Sequence, residues 1–494
     1  MNKNKRVIVI GAGFSGLAAS ALMAREGYHV TLLEKNDQPG GRARIWKKDG
    51  FRFDMGPSWY WMPDIFENYF ALFGKKAADF YDLKRLDPGY RIYFGKDDLM
   101  DIPADMDEIE ALFENIEPGS AKKLRSFLAQ AETKYKIGMG EYVFKPSHSA
   151  VEYLDPDLIK KSFSLQLFTN MSKHVRKYFK HPKLIQLLEF PVLFLGATPQ
   201  NTPALYSMMN YADLVLGTWY PMGGMNEIVK AMVSIAEEQG VRIKLNSEAT
   251  KINIENGYVQ SVSANEGDYS TDMLIAGADY EYVDQNLIDE PYRNYSKKYW
   301  DSRTLSPSCL IWYIGINKKL PRIQHHNLFF DEDFKQHAKD IYADPEWPQK
   351  PLFYVCCSSK TDPAVAPENC ENLFFLMPVA PGIEDNETIR RQYLDLMISR
   401  FEQITGEKIG ESIILRRSYA LKDFQADYHS FKGNAYGLAN TLKQTAFLKP
   451  AMRAKNIKNL LYTGQLTVPG PGVPPAIISG QVAAMEAMKY LGTA

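Results

Sequence analysis

Two groups of residues in this sequence have the types and spacing that chemistry requires. The first is Gly11-Ala12-Gly13-Phe14-Ser15-Gly16, which follows the β-branched run Val7-Ile8-Val9-Ile10 and opens an alanine-rich helical stretch to Arg25. A second extended run, Val30-Thr31-Leu32-Leu33, ends on Glu34, 18 residues past Gly16. Strand, glycine turn, helix and strand form a complete βαβ half, and this context gives the glycine motif its weight. Gly11 permits the tight turn, Gly13 lets backbone N–H groups approach a pyrophosphate, and Gly16 lets the helix sit close to the strand. Glu34 would then accept hydrogen bonds from a ribose. The chemistry predicted is dinucleotide binding.

The second group is defined by its surroundings. Between Glu189 and Glu227 lie 37 residues with a single formal charge, Asp213. Pro191, Pro199, Pro203 and Pro221 prevent this window from being one membrane helix, so it must be buried or face lipid or an apolar ligand. Asp213 is therefore the candidate proton acceptor, or stabiliser of a developing cation, in an apolar site; a cap or paired structural acid is the competing reading.

The whole chain bounds these readings. Its 494 residues allow two to three lobes and a large core. The 58 Lys+Arg balance 59 Asp+Glu, which leaves no global basic field for a nucleic-acid backbone. The four cysteines, Cys309, Cys356, Cys357 and Cys370, contain no C-x-x-C pair, so neither a zinc site nor a disulfide framework is predicted and a reducing cytosol is the default. No G-x-S-x-G, H-E-x-x-H or His/Cys cluster is legible; the adjacent His325 and His326 are expected to point apart along a strand, as surface or packing residues. No signal peptide and no window of 18 clean apolar residues is found.

Further along the chain, a helix to Gly240, a strand at 241–245, a hairpin turning on Asn256-Gly257 and a strand from Met273 to Asp279 suit a second part of the cofactor domain. The last return is a strand at Leu460-Leu461-Tyr462, a turn at Thr463-Gly464-Gln465, and a helix from Ala476 entered through Gly470-Pro471-Gly472-Val473-Pro474-Pro475. Such an entry presents unpaired N–H groups and a positive dipole end. The expected division is 1–90, 221–285 and 441–494 for cofactor binding, with 91–220, mainly helical and membrane-facing, and 286–440 for substrate.

Beyond Glu34, Gly40-Gly41-Arg42-Ala43-Arg44 complete a pattern, E-x(5)-G-G-R, that resembles the FAD-binding amine oxidase and carotenoid desaturase superfamily. Together with Phe53-Asp54-Met55-Gly56-Pro57-Ser58, Tyr220 to Met225 and Thr463 to Gly480, the whole chain is similar to the bacterial phytoene desaturase branch; hydroxycarotenoid desaturases share the Gly56-Pro57-Ser58 start. The resemblance implies an α/β fold: a Rossmann-like FAD-binding domain of the amine oxidase type, with an inserted mixed α+β substrate domain and a partly helical membrane-facing region. It places FAD on Gly11, Gly13, Phe14, Ser15, Gly16, Glu34 and Lys35, on Gly40, Gly41 and Arg42, and on Gly56, Pro57 and Ser58. From the last return it adds Gly464, Gln465, Gly472, Val473 and Pro474. Arg42 and Arg44 would counter phosphate charge. Gln465 stands where many such flavoproteins carry an acid.

The reaction so implied is desaturation of phytoene, toward neurosporene or lycopene, by hydride transfer to flavin with loss of a proton from the neighbouring carbon, needing no metal. The electron acceptor, quinone or oxygen, is left open. Trp59, Tyr60, Trp61, Met62 and the window from Phe190 to Trp219 are candidate walls for a long apolar slot. The substrate being lipid-soluble, peripheral attachment on the cytoplasmic side of the membrane is expected, with Lys160, Lys161, Lys173, Arg176 and Lys177 meeting anionic lipid. A hydroxycarotenoid 3,4-desaturase, a redox-neutral carotenoid isomerase and a non-catalytic flavin-containing carotenoid carrier are the alternatives.

Overall fold

The computed structural model describes residues 4–149, 152, 166, 169–441 and 443–492. Two sheets organise it. The first is five-stranded and wholly parallel, in the order Leu460–Tyr462, Met273–Ala276, Arg6–Ile10 (β1), His29–Leu33 (β2) and Arg242–Lys244. In β1, Val7 to Ile10 are all buried, as a strand covered on both faces requires. Val7 of β1 pairs with Met273, and Leu274 with Leu460, so the chain leaves the cofactor fold and returns to it twice.

The helix Phe14–Arg25 (α1) is buried on every side except at its last residue. Its neighbours come that close because glycines face it. A side-chain carbon on Gly16 would lie 1.9 Å from the Gly11 carbonyl oxygen, and one on Gly480, in the C-terminal helix Val473–Leu491, would lie 2.2 Å from the Ser15 carbonyl oxygen.

The second sheet has seven strands, in the order Ile413–Tyr419, Ser308–Ile316, Glu371–Val379, Phe353–Cys356, His326–Phe329, Tyr90–Gly95 and Asp98–Ile102. The segment 91–220, expected to be mainly helical, thus also lends a hairpin to the sheet built from 308–419; Asn327 pairs in parallel with Arg91. The predicted hairpin at Asn256-Gly257 is present between Ala249–Glu255 and Tyr258–Ala264.

The apolar window forms short helical turns, Phe190–Leu195, Ala204–Ser207 and Tyr211–Val215, with Ala204, Ala212 and Leu214 buried. No helix among the described residues is long and apolar enough to cross a membrane.

Candidate active site

One cavity, about 460 Å³ in volume, runs from the glycine turns to the second sheet. At one end, Gly11, Gly13, Phe14 and Ser15 line it where β1 passes into α1. Gly13 is the N-cap of α1, and a side-chain carbon built on it would meet nothing within 4 Å. The backbone therefore leaves an open cradle at a helix N-terminus, where N–H groups and the dipole favour an anion. Gly16 does not line the cavity; its part is the close approach to Gly11 already described.

Glu34, buried at the end of β2, accepts from the Ala12 N–H (2.7 Å) through one oxygen and from the Asn36 N–H (2.9 Å) through the other. It pins the glycine turn and still faces the cavity, as do Lys35, Gly40 and Gly41. Arg42 is held inside, its guanidinium 5.0 Å from the Tyr428 ring and donating to Ser430 Oγ (3.3 Å) and the Asn434 carbonyl (3.2 Å). Burial pulls its pKa down, and its Nε has no partner among the described residues. An unspent cationic donor beside an anion cradle suits a phosphate. Arg44 departs from expectation: it does not line the cavity, because Asp427 and the Tyr428 ring take up its charge.

Beside this turn, where a side-chain carbon on Gly464 would lie 3.3 Å from Ser15 Oγ, Gly464, Gln465 and Pro471 to Ala476 bring the C-terminal helix to the same cavity. Gly472 is its N-cap at φ 112°, a conformation glycine adopts freely, and the prolines behind it suit a first turn. Gln465 Nε2 donates to Asn434 Oδ1 (3.2 Å). Two helix N-termini, an open glycine cradle and a buried arginine with an unused donor fit FAD, whose phosphates Gly13, Gly41 and Arg42 would hold.

The other arm of the cavity is apolar. Trp59, Trp61, Met62, Phe190 and Met209 line it, joined by Phe330, Phe334, Ile341, Leu352 and Leu376, which sequence reasoning missed. The missed walls come from the helix Phe334–Tyr342, from Leu376 within the second sheet and from Phe330 and Leu352 at the ends of its strands, an order the sequence does not disclose. Tyr60 is a correction: it is fully buried against Phe66, 4.3 Å between ring centroids, away from the cavity. Most of the apolar window is likewise core. Gly56, Pro57 and Ser58 line the junction of the two arms, where Ser58 Oγ lies 3.0 Å from the Tyr354 hydroxyl. His337 also faces the arm, but both ring nitrogens are engaged, one accepting from the Leu352 N–H (3.0 Å) and the other donating to the Pro378 carbonyl (2.9 Å).

Asp213 does not reach this cavity. It sits behind the wall, accepting from the Tyr90 hydroxyl at 2.7 Å, and Tyr90 in turn packs edge-on against Trp59. Burial raises its pKa to about 7, against the lowering pull of the Tyr90 hydrogen bond. A carboxyl separated from the cavity by Tyr90 cannot take a proton from a molecule inside it, so the geometry favours the structural reading.

His325 and His326 also differ from expectation. His325 precedes the strand His326–Phe329, so strand alternation does not govern it, and the two buried rings lie 4.4 Å apart. His326 stacks on Trp59 at 4.1 Å. Lys160 and Lys161 lie outside the described residues. Lys173, Arg176 and Lys177 are exposed on the helix Met171–Tyr178, which buries Met171 and Val175.

Residues 14–488 match the family model described as flavin containing amine oxidoreductase. A carotenoid 3,4-desaturase of Haloarcula japonica is 40% identical over 96% of this chain and 96% of its own length. A zeta-carotene-forming phytoene desaturase of Myxococcus xanthus is 28% identical over 99% of this chain and 95% of its own. An oxidoreductase from Methanosarcina mazei, 15% identical, shares the fold with a TM-score of 0.64 over 98% of this chain and 100% of that one. The glycine cradle, the buried Arg42 and these likenesses agree: the chain belongs to the flavin containing amine oxidoreductase family, among its carotenoid desaturases, and is an FAD-dependent oxidoreductase.

Proposed function

We propose that this protein dehydrogenates a long acyclic carotenoid, and that the bond it forms is the 3,4 double bond. The observation that carries the reading is the continuity of the cavity: the FAD cradle opens directly into an arm walled by Trp59, Phe190, Phe330 and Phe334. A polyene offers almost nothing to hydrogen-bond, and such walls exclude water while contributing contact area. The greater identity to the 3,4-desaturase than to the phytoene desaturase ranks the finer readings, with phytoene second.

FAD, when bound, supplies the two-electron acceptor. The residues of the chain bind and orient. Arg42 and the α1 N-terminus would hold the phosphates, and the N-terminus of Val473–Leu491 would place positive potential on the cavity beside them. Ser58 Oγ and Tyr354 Oη, at the junction, are hydroxyls to which a hydroxylated end group would hydrogen-bond.

The reading includes docking at the cytoplasmic face of a bilayer, where such a substrate resides. The exposed Lys173 and Lys177 support it by their charge, whereas Arg176 is paired with Glu189. Liposome co-sedimentation should weaken with salt; no binding to anionic vesicles contradicts docking.

The substrate assignment is tested by supplying phytoene, and separately a 1-hydroxylated acyclic carotenoid, in liposomes and measuring product mass. Loss of two hydrogens from the hydroxylated substrate with little change in phytoene supports 3,4-desaturation. The reverse selects phytoene, and isomerised product of unchanged mass from both selects the isomerase.

A further inference from the structure

We propose that His325, His326 and Cys356 form a buried binding site for a transition-metal ion of zinc's class, with two imidazole nitrogens and one thiolate as ligands. One candidate ligand atom from each, an imidazole nitrogen of either histidine and the Cys356 Sγ, lies within 4.8 Å of the other two. His326 and Cys356 are directly opposed in the antiparallel pair of strands His326–Phe329 and Phe353–Cys356, which sets both side chains on one face. His325, just ahead of the strand, brings the third.

The hydrogen bonds around the cluster have the pattern of a metal's supporting shell. Nδ1 of His325 is 2.7 Å from Thr361 Oγ1, and Nδ1 of His326 is 2.6 Å from the Tyr354 hydroxyl. The Nε2 atom of each ring is buried with no partner among the described residues. Two such nitrogens side by side call for a partner, because buried polar atoms are nearly always paired. A metal-ligating histidine, in contrast, uses one nitrogen for the metal and donates a hydrogen bond from the other. With Nδ1–H donating to Thr361 and Tyr354, both Nε2 lone pairs are free to ligate.

Burial also keeps both imidazoles neutral, the ligating form. It pushes the Cys356 thiol up to about 12, so metal binding must release the thiol proton as the metal–sulfur bond forms. Zinc–nitrogen and zinc–sulfur bonds of about 2.0 and 2.3 Å put ligand atoms about 3.5 Å apart, so closing this cluster needs movements on the order of 1 Å. Three protein ligands leave one position for a further donor. Because His326 lies flat against Trp59, an ion here would fix the wall of the apolar arm.

The test uses FAD-loaded protein produced in zinc-supplemented medium, desalted without chelator, with zinc measured by mass spectrometry and FAD by absorbance. About one zinc per chain is expected in the wild type, falling at least tenfold in Cys356→Ser and in His325→Gln, while Cys370→Ser retains it. Cobalt added to the wild type should give a thiolate-to-metal charge-transfer band, a readout that does not require a variant to fold. Zinc in the wild type no higher than in Cys356→Ser, or no cobalt–thiolate band, overturns the proposal and leaves the cluster as core packing.

Discussion

A side-chain carbon on Gly41 would lie 3.3 Å from the Cα of Gly13. The two glycine turns, nearly thirty residues apart in sequence, therefore meet backbone to backbone and together form the cradle. Gly13 itself has φ −74° and ψ 178°, which any residue adopts, and open space where a side chain would go. Gly13→Val should fold with little loss of stability and yet fill the space for the phosphates. Protein melting within a few degrees of apo wild type, with FAD content down by at least about tenfold, or about 1.4 kcal/mol or more in affinity, is the expected result. Full FAD occupancy would remove the cradle from the account.

Gly480→Ala acts on packing instead. The added carbon would stand 2.2 Å from the Ser15 carbonyl oxygen and 2.9 Å from Ala18 Cβ, so α1 and the C-terminal helix must part. Overpacking of this kind costs about 1–3 kcal/mol. Both helices lead into the cavity, so a lower melting temperature and weaker FAD retention should appear together. An unchanged melt would show that this contact is looser than described.

Asp213→Asn separates structure from chemistry. The carboxyl's pKa is raised from its ordinary value to about 7 by burial, so its contribution to stability is complete below the ordinary carboxylate range and is lost as pH rises through about 7. Asparagine still accepts from Tyr90 and does not titrate, so the decline in melting temperature between about pH 4 and 7 should flatten in the variant. Turnover per bound flavin should stay within about threefold of wild type, since loss of a general base costs at least about 100-fold. A 100-fold loss with FAD retained would restore Asp213 to the chemistry.

Ala338 lines the apolar arm on the helix Phe334–Tyr342, next to His337 and Ile341. Ala338→Phe should fill that arm without touching the cradle. Conversion of a full-length carotenoid is expected to fall at least about tenfold, about 1.4 kcal/mol in transition-state terms, with FAD content unchanged. Normal turnover would place the polyene elsewhere.

The cofactor half was legible because its signals are local. Gly11 to Glu34 and the entry at Gly472-Val473-Pro474 each carry their geometry within a few residues, and periodicity and turn chemistry report it. The second sheet was not legible. Ser308–Ile316 is buried at every residue, so it has no alternation to read, and Tyr90–Gly95 finds its partner at Asn327 to Phe329, more than 200 residues away. Phe330, Phe334, Ile341, Leu352 and Leu376 are therefore not legible as walls of the arm, whereas Trp59, Trp61 and Phe190 are, as aromatic residues in the motif and window expected to face an apolar substrate. The His325–His326–Cys356 cluster was hidden for the same reason: its spacing in sequence means nothing until strand pairing sets His326 opposite Cys356. Asp213 misled because isolation in an apolar window marks burial, and burial alone does not say which cavity a charge faces.

If flavin and carotenoid meet in one cavity and exchange two electrons, anaerobic mixing of the FAD-loaded protein with carotenoid in liposomes, with flavin absorbance and product mass followed in the same sample, should bleach the oxidised flavin in step with one product molecule lacking two hydrogens for each flavin reduced. Oxidised flavin that persists while the carotenoid is recovered at unchanged mass, across both the phytoene and the hydroxylated substrates, would contradict that exchange.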